Sequence, residues 1–351
     1  MMSLAGIALV YAPTRLEGLR RRWGTKGQAK FRLQQAHAHE LALREGTTAA
    51  ANQMQRGRKA TVKKATAKQV AANQAHVQQQ AEFEDYELED QLQRDVIDEL
   101  EDQLQFGLPV KRVERSFVPN FDFYGCEAVV VVGQDGLVAN TAKYVGDLPI
   151  VAINPDPQRI DGVLLPFQVK QARTIVRRVL DGKHKVRAVT LAEAELNDGQ
   201  KLLAFNDFFV GAASHVSARY VLEAGGRSEP QSSSGILVST GAGSTGWLSS
   251  VFNMAGGLAE FLGGEPLPRP QLAWEDRRLA WVVREPFLSK RSQASLVAGW
   301  LDEGEELIVE SLMPDGGVIF SDGIESDFLP FSSGAIARLR VSPQRANLVV
   351  G

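Results

Sequence analysis

The fold is decided by residues 125–167, GCEAVVVVGQDGLVANTAKYVGDLPIVAINPDPQRIDGVLLPF. Four consecutive valines lead into the turn Gly133-Gln134-Asp135-Gly136, so we expect a buried strand that ends there. A short helix over about 137–145 follows, and a second apolar strand then ends in Asn-Pro. Elements in this order predict a parallel sheet, with the turn at the carboxyl end of its strand, where open α/β sheets bind ligands.

The residue types of this turn suit a phosphate and a hydroxyl. Gly133 and Gly136 allow the backbone to approach an anion, and the N–H groups that begin the following helix can bind one. Asp135 is the only acid in the turn and would repel a phosphate directly. Its useful roles are to accept a proton from an attacking hydroxyl or to hold Mg²⁺ that bridges phosphates. The alternative is an Asp-Gly turn that only links strand and helix.

Apolar strands at Gly6–Tyr11, Val110–Val113 and the valine run alternate with helical stretches, whereas short strands separated by turn residues dominate after residue 185. The second pattern favours an antiparallel sandwich. We therefore predict an α/β, Rossmann-like nucleotide-binding domain over residues 1–165. An all-β sandwich domain is predicted over residues 166–351, and its last few residues could return to the first domain.

Residues 34–107 are predicted to be a helical, charged insertion in the first domain. The first part of this segment is rich in Ala, Gln, Lys and Thr, and few large apolar residues are available to build a core. Its cationic run comprises Arg56, Arg58, Lys59, Lys63, Lys64 and Lys68. A stripe with a four-residue period indicates an amphipathic helix: Leu88, Leu92, Val96, Leu100 and Leu104. We interpret the charges as a solvated surface; a nucleic-acid or partner site is the alternative.

Composition sets outer bounds on the class of protein. The 351 residues suffice for two domains, and a net charge of −3 provides no general attraction for nucleic acid. Cys126 is the only cysteine, so no intrachain disulfide forms, and we expect a buried thiol. No apolar run reaches about 18 residues, so we expect no membrane span. The run Leu4–Ala12 lacks the basic start of a signal peptide, and we expect a cytoplasmic protein.

A second strand-to-turn motif lies at 239–247, with the sequence STGAGSTGW. The apolar strand GILV precedes it, and its small residues permit close approach of a ligand. Ser244 and Thr245 can donate and accept hydrogen bonds, while Trp247 can stack on a heteroaromatic ring. The alternative is a flexible loop rich in Gly and Ser.

Two smaller polar groups interrupt or follow apolar strands. Asn206 and Asp207 lie within LLAFNDFFV and need partners if they are buried, so either a sheet bulge or a ligand is required. Arg284 follows the strand LAWVV and could contact a phosphate bidentately; an internal ion pair with Glu285 is equally consistent.

Three segments are predicted to be turns or loops: Gly256–Gly264, residues 266–270 and Ser321-Asp322-Gly323, the last as a hairpin turn. The five histidines show no metal-ligand spacing, and no Walker A, HExxH, CxxC or GxSxG motif occurs.

Taken in order, the motifs resemble those of the NAD kinase family. That family carries a GGDG turn, an Asn-Pro or Asn-Thr strand end, an Asn-Glu pair and a TGxGSxAW or TPTGSTAY turn. The corresponding segments of this chain are GQDG at 133–136, INPD at 153–156, ND at 206–207 and STGAGSTGW at 239–247. The likeness spans about residues 125–340, and its details are most similar to the mitochondrial type of the family.

The resemblance implies an active site between an α/β domain and a β-sandwich domain. ATP with Mg²⁺ would phosphorylate the 2′-hydroxyl of the adenosine ribose of NAD, in a homo-oligomer such as a dimer that needs neither nucleic acid nor membrane. Asp135 would accept the proton, Gly133, Gln134 and Gly136 would lie beside phosphates, and Arg284 could reach a phosphate. The implied NAD-binding residues are Asn206, Asp207, Ser239, Thr240, Gly243, Ser244, Thr245 and Trp247.

The chain departs from the family pattern at several positions. Gln134 replaces the second glycine of GGDG, Leu137 replaces a threonine, Asp207 is one methylene shorter than the usual glutamate, and Gly246 replaces an alanine. The phosphate cradle and the choice of donor, ATP or polyphosphate, are therefore open. Two alternatives stand beside an NAD kinase: a related kinase acting on a sugar or lipid hydroxyl, and a non-catalytic dinucleotide-binding regulator.

Overall fold

The computed structural model describes residues 5–33, 35, 83–265 and 267–351. The chain divides into two compact units, one formed by Ala12–Asp102 and the other by Met1–Tyr11 together with Gln103–Gly351. The cationic run between Arg56 and Lys68, most of the predicted insertion and Pro266 of the predicted proline-rich loop lie outside the described residues.

The smaller unit is helical where it is described. Its helices are α1 (Arg15–Trp23), α2, which is described over 26–33 and at 35, and α3, which is described over 83–103. Thr14 caps α1, since its hydroxyl accepts the Glu17 N–H while the Glu17 carboxylate accepts the Thr14 N–H. The predicted helix is confirmed as α3, but its predicted apolar stripe is buried only in part: Val96 and Leu100 are buried, whereas Leu88 and Leu92 are exposed.

The larger unit contains the strands and the remaining helices. Its strands are β1 (Gly6–Tyr11), β2 (Val110–Glu114), β3 (Cys126–Val132), β4 (Pro149–Asn154), β5 (Phe167–Gln168), β6 (Lys185–Leu196), β7 (Lys201–Ala204), β8 (Asp207–Ala212), β9 (Ala218–Ala224), β10 (Arg227–Ser233), β11 (Ile236–Ser239), β12 (Arg278–Val283), β13 (Ala298–Asp302), β14 (Leu307–Ser311), β15 (Gly317–Ser321), β16 (Phe328–Pro330) and β17 (Ile336–Val350). Its helices are α4 (Asp135–Ala142), α5 (Ala172–Leu180) and α6 (Trp247–Phe261).

Four of these strands form the predicted parallel sheet. β1 pairs in parallel with β2 and β3, and β3 pairs in parallel with β4. Their apolar residues are buried without alternation, as in Ala128–Val132, because a parallel sheet is covered on both faces. Cys126 is buried within β3, as expected.

The parallel strands belong to a larger sheet of 11 described strands. The long strand β17 makes the connection, since it pairs in parallel with β4 and antiparallel with β6 and β14. One sheet thus carries strands from both sides of residue 165, and the predicted division of the chain there stays a prediction.

A second sheet contains β13, β12, β11, β8, β15 and β16 in that order, with every pairing antiparallel. Its inward residues share one core with the first sheet; Phe208 and Val238 come from the second sheet, while Tyr220 and Leu339 come from the first. Alternation along β8 places Phe209 on the opposite, outward face. The predicted fold class, a Rossmann-like α/β part followed by an all-β sandwich, is confirmed. Of the predicted helical insertion, residues 83–103 are described and are helical.

The loop predicted at Gly256–Gly264 is wrong over its first six residues, because α6 continues to Phe261. Glycine costs a helix about 1 kcal/mol relative to alanine, and leucine, alanine and glutamate follow the two glycines here. The helix ends where Gly263 adopts a positive φ of 80°. The described part of the chain contains no helix with the length and apolarity that crossing a membrane requires.

Candidate functional site

The GQDG turn lies at the carboxyl end of β3, where the sequence placed it. Gln134 precedes the first residue of α4 and is exposed, and Gly136 is exposed as well. Asp135 is the first residue of α4, and its carboxylate accepts the N–H groups of Val163 at 3.1 Å and Leu164 at 2.9 Å. Asp135 was selected from the sequence as a proton acceptor. In this structure its carboxylate fixes the loop that contains Val163 and Leu164.

That loop follows the Asn-Pro end of β4. Asn154 is buried; its side-chain oxygen accepts the Asp156 N–H at 3.0 Å and its amide donates to the Ile160 carbonyl at 2.9 Å. The loop folds back and presents two N–H groups to Asp135. The first and second motifs of the sequence are thus joined at one edge of the parallel sheet.

A second cluster forms where β7 ends and β8 begins. The Asp322 carboxylate, which follows β15, accepts three successive backbone N–H groups: Phe205 at 3.1 Å, Asn206 at 2.6 Å and Asp207 at 3.3 Å. The Asp322 side chain is 2% exposed. These three hydrogen bonds fix the backbone at Asn206 and Asp207, where the sequence predicted that polar residues interrupt a strand. They also give the backbone N–H groups there an acceptor.

The 239–247 motif packs directly against this interruption. Thr240 donates its N–H to the Asn206 carbonyl at 2.9 Å and its hydroxyl to the Phe205 carbonyl at 2.6 Å. A Cβ on Gly243 would lie 2.1 Å from the Asn206 carbonyl oxygen, so only glycine permits this approach. The structure therefore brings Asn206, Asp207 and the start of the glycine-rich turn together, although the sequence separates them by more than 30 residues.

The rest of the turn leads toward solvent. Ser239 is buried and its hydroxyl lies 3.4 Å from the Asn206 carbonyl oxygen. The Ser244 hydroxyl donates to the Gly241 carbonyl at 2.7 Å, Thr245 is exposed, and Trp247 begins α6. Ser244 is thus held within the turn, whereas the Thr245 side chain is open to a ligand.

Lys143 joins α4 to the Asp322 cluster. Its ammonium donates to the Ser321 hydroxyl at 2.8 Å and lies 3.6 Å from the Asp322 carboxylate, with 1% of the side chain exposed. Burial lowers the pKa of Lys143, against the opposing effect of Asp322, and burial likewise raises the pKa of Asp322. Asp135 is the first residue of α4, and Lys143 directly follows the helix. One rigid helix about 12 Å long therefore connects Asp135 to the Asp322 cluster.

Asp207 is a buried acid with an unusual pKa. Burial raises the pKa of Asp207 to about 7, and the negative charge of Asp322 adds to the effect. Among the described residues, no hydrogen-bond donor reaches its carboxyl oxygens, and the side-chain amide of Asn206 likewise has no protein partner. These two side chains are therefore available to a ligand that offers hydroxyl or amide groups.

The raised pKa of Asp207 makes stability depend on pH. Its ordinary value is 3.8, so the folded chain binds more protons at this group than the unfolded chain between about pH 4 and 7. The free energy of unfolding should fall through this window as pH rises, by up to about 1 kcal/mol per pH unit from this group. Asp207→Asn should remove that part of the slope in urea unfolding between about pH 5 and 8.

Asp315→Asn is the matched control for this prediction, because Asp315 is exposed and makes no side-chain bond. It should keep the slope of the unmodified protein. Equal slopes in the Asp207→Asn variant and the unmodified protein would show that Asp207 is ionised in the folded chain well below pH 7.

An aromatic cleft of about 770 Å³ is lined by residues of β8, β15 and the start of α6. Phe209 and Trp247 stack with 5.7 Å between ring centroids and 9° between planes, and Phe320 packs on Phe209 at 5.0 Å. The Arg284 guanidinium lies 5.2 Å from the Trp247 ring centroid and 5.9 Å from that of Phe209. A Cβ on Gly235, whose φ is 108°, would lie 2.6 Å from the Phe209 ring.

Arg284 has only a weak carboxylate partner. The Glu285 carboxylate lies 3.8 Å away and its side chain is 49% exposed. The described residues offer the Arg284 guanidinium no hydrogen-bond acceptor. Arg284 is thus held over aromatic rings with its donors unused, which suits an anionic ligand.

Sequence reasoning missed Asp322 and Lys143. Ser321-Asp322-Gly323 was predicted to be a simple hairpin turn, and a left-handed φ of 54° at Asp322 fits a turn. The turn also buries a carboxylate against three backbone amides, which the local sequence does not indicate. Lys143 lies 178 residues before its partner Ser321 and carries no motif of its own.

Comparison with known proteins gives a likeness of structure but none of sequence. No protein-family model matches the chain, and no curated protein matches it. Among solved structures, the chain is similar to the crystal structure of yeast NADH kinase complexed with NADH. The two share 17% sequence identity with a TM-score of 0.49, over 71% of this chain and 68% of that chain.

Proposed function

We propose that the protein is an NAD kinase, which transfers a phosphoryl group from ATP to the 2′-hydroxyl of the adenosine ribose of NAD. The observation that carries the proposal is the contact between the Asn206-Asp207 pair and the glycine-rich turn that begins at Thr240. These are two motifs of the resemblance, and they meet beside an unpaired buried carboxyl that a ribose hydroxyl can satisfy. In this role Asp207 and Asn206 bind a ribose.

Asp135 is the proposed proton acceptor for the attacking hydroxyl. It lies at the start of α4, where N–H groups and the helix dipole favour a phosphate close by. The loop amides of Val163 and Leu164 hold its carboxylate in one orientation. For this role, an incoming sugar hydroxyl must approach the same carboxylate from its open side.

Mg²⁺ enters the proposal as a companion of the donor phosphates. No group of three His, Cys, Asp or Glu side chains within the described residues could hold a metal ion by itself. This agrees with the usual way in which Mg²⁺ binds at phosphoryl-transfer sites, through one or two carboxylates and the substrate phosphates. Asp135 is the carboxylate nearest the proposed phosphate position.

A donor and acceptor survey tests the proposal. We expect the purified chain to form NADP or NADPH when NAD or NADH is supplied with ATP or polyphosphate and Mg²⁺, as measured with an NADP-specific dehydrogenase. Sugar and lipid acceptors, followed by radiolabelled phosphate from ATP, should remain unlabelled. Labelling of those acceptors without NADP formation would instead identify a kinase for another hydroxyl.

The hydrogen bonds that the Asp135 carboxylate already makes favour one other function, that of a dinucleotide-binding regulator. Its carboxylate already satisfies two amides, and the exposed Gln134 occupies a position where the resembled family has glycine. Calorimetric binding of NAD with no turnover from any donor would support the regulator over the kinase.

A further inference from the structure

A second cleft lies at the open side of the sandwich, where β13 is the last strand of the second sheet and β10 is the last strand of the first. We call it the edge cleft. Residues between 224 and 227 line one wall, and Trp281 with residues between 296 and 306 line the rest. Its volume of about 430 Å³ lies within the range of small-molecule sites, and it shares no lining residue with the aromatic cleft.

The floor of the edge cleft is apolar. Trp281, Leu296 and Leu301 line it, and all three are buried. The Trp281 indole lies directly on the backbone of β13, since a Cβ on Gly299 would lie 2.7 Å from the indole Nε1 atom. An apolar group that enters the cleft can therefore leave water by packing on this floor.

Two hydrogen-bond donors in the edge cleft have no acceptor among the described residues. Trp281 is 3% exposed and its indole N–H has no protein partner, although a buried indole N–H usually has one. Arg227, at the start of β10, shares the alternation of the buried residues Glu229 and Gln231 and so faces the space between the sheets. Its guanidinium likewise has no protein acceptor.

The acidic side chains of the edge cleft, in contrast, already have partners. The Glu305 carboxylate accepts the Asp302 N–H at 2.8 Å. The Glu306 carboxylate accepts hydrogen bonds from Arg338 at 2.8 Å and Arg340 at 3.0 Å, which offset its charge. Glu305 is exposed, so water and salt screen it. Because the unpaired groups are donors and one of them is a cation, the cleft favours a ligand with negatively charged oxygens.

We propose that the edge cleft binds a small carboxylic acid with an apolar body. The ligand carboxylate accepts the Trp281 N–H and the Arg227 guanidinium, while its apolar body packs on Leu296 and Leu301. A carboxylate has two acceptor oxygens and the charge that arginine binds most strongly. The Arg227 side chain is long and has no partner to restrain it, so it can reach a carboxylate held at the indole. This site is separate from the proposed kinase reaction.

The indole N–H of Trp281 reports binding at this place directly. The chain contains five tryptophans, so a ¹⁵N–¹H spectrum of the indole groups has five signals, and Trp281→Phe identifies the relevant one. Titration of the full chain with phenylacetate should move this signal until it saturates. Phenethylamine carries the same ring with a positive charge and should leave it in place.

A charge variant tests the second donor. Arg227→Gln should raise the Kd for phenylacetate about tenfold, near the lower end for losing a hydrogen bond between charged groups. Arg219→Gln is the matched control, because Arg219 is an exposed arginine of the neighbouring strand β9 that alternation places on the outer face of the sheet. It should leave the Kd unchanged, and both variants should keep the Tm of the unmodified protein.

Any of four results would overturn the inference. The first is a Trp281 signal that does not move at any soluble concentration of phenylacetate, and the second is equal binding of phenylacetate and phenethylamine. The third is an unchanged Kd in Arg227→Gln. The fourth is displacement of phenylacetate by NAD, which would place the acid in the dinucleotide site. None of these measurements requires turnover, so the inference can fail while the proposed kinase stands, and the reverse.

Discussion

Asp135→Asn should lower kcat for NADP formation by a factor of about 10² to 10⁴, the range for loss of a positioned acid–base group. The amide cannot accept the hydroxyl proton, while its size and position are those of the carboxylate. The KM for NAD should change far less than kcat, since the Asp135 carboxylate is held by loop amides and the proposed binding of NAD falls mainly to Asn206 and Asp207. Steady-state kinetics with saturating donor measures both constants.

A structural role of Asp135 predicts a different outcome. Asparagine keeps one acceptor for the Leu164 N–H but turns an amide donor toward Val163, so the loop could loosen. Asp161→Asn is the matched control, because Asp161 is an exposed residue of the same loop without a side-chain bond. Full activity in Asp135→Asn would remove the proton-acceptor role, and a large fall in Tm with a proportionate loss of activity would make Asp135 a loop anchor.

Lys143→Met should lower the free energy of unfolding by about 3 to 5 kcal/mol, the cost of removing one partner from a buried ion pair. Methionine fills most of the volume, but the Asp322 carboxylate, 2% exposed, loses the cation beside it. The Ser321 hydroxyl also loses its donor. Urea unfolding measures the change, which is a large share of the stability of an ordinary domain.

Two further variants distinguish the effect of the lost Lys143 charge on stability from the effect of altered packing. Lys170→Met alters an exposed lysine in the turn that precedes α5 and should change stability by less than about 0.5 kcal/mol. Lys143→Met combined with Asp322→Asn removes the unpaired charge, so the double variant should lose less stability than the sum of the single variants. Strict additivity would mean that Lys143 and Asp322 do not stabilise each other.

Much of the site could be predicted because its motifs are local. The valine run, the GQDG turn and the helix after it are adjacent in sequence, and they form adjacent elements β3 and α4 in the structure. The polar interruption at Asn206 and Asp207 also appears where the alternation of a strand fails, between β7 and β8. The glycines of the 239–247 turn signalled close backbone approach, and Gly243 makes such an approach to Asn206.

Other features have no local signal because their parts meet only after folding. The loop predicted over 256–261 is helical, since the helical preference of its neighbours outweighs two glycines. The aromatic cleft draws Phe209, Phe320 and Trp247 from two strands and a helix, and Arg284 from the end of a third strand.

The sequence by itself determined the order of strands, helices and turns over most of the described residues, and the residue types of the candidate site, because hydrophobic period and turn chemistry act over a few residues. Only the tertiary structure decided that Asp322 would hold the backbone of Asn206, that Lys143 would lie beside it, and that Asp207 would carry a pKa of about 7. The physical reason is desolvation. Burial by distant segments shifts the pKa values of Lys143, Asp207 and Asp322, and no single segment contains the hydrogen-bond and charge partners that offset the cost of burying a charge.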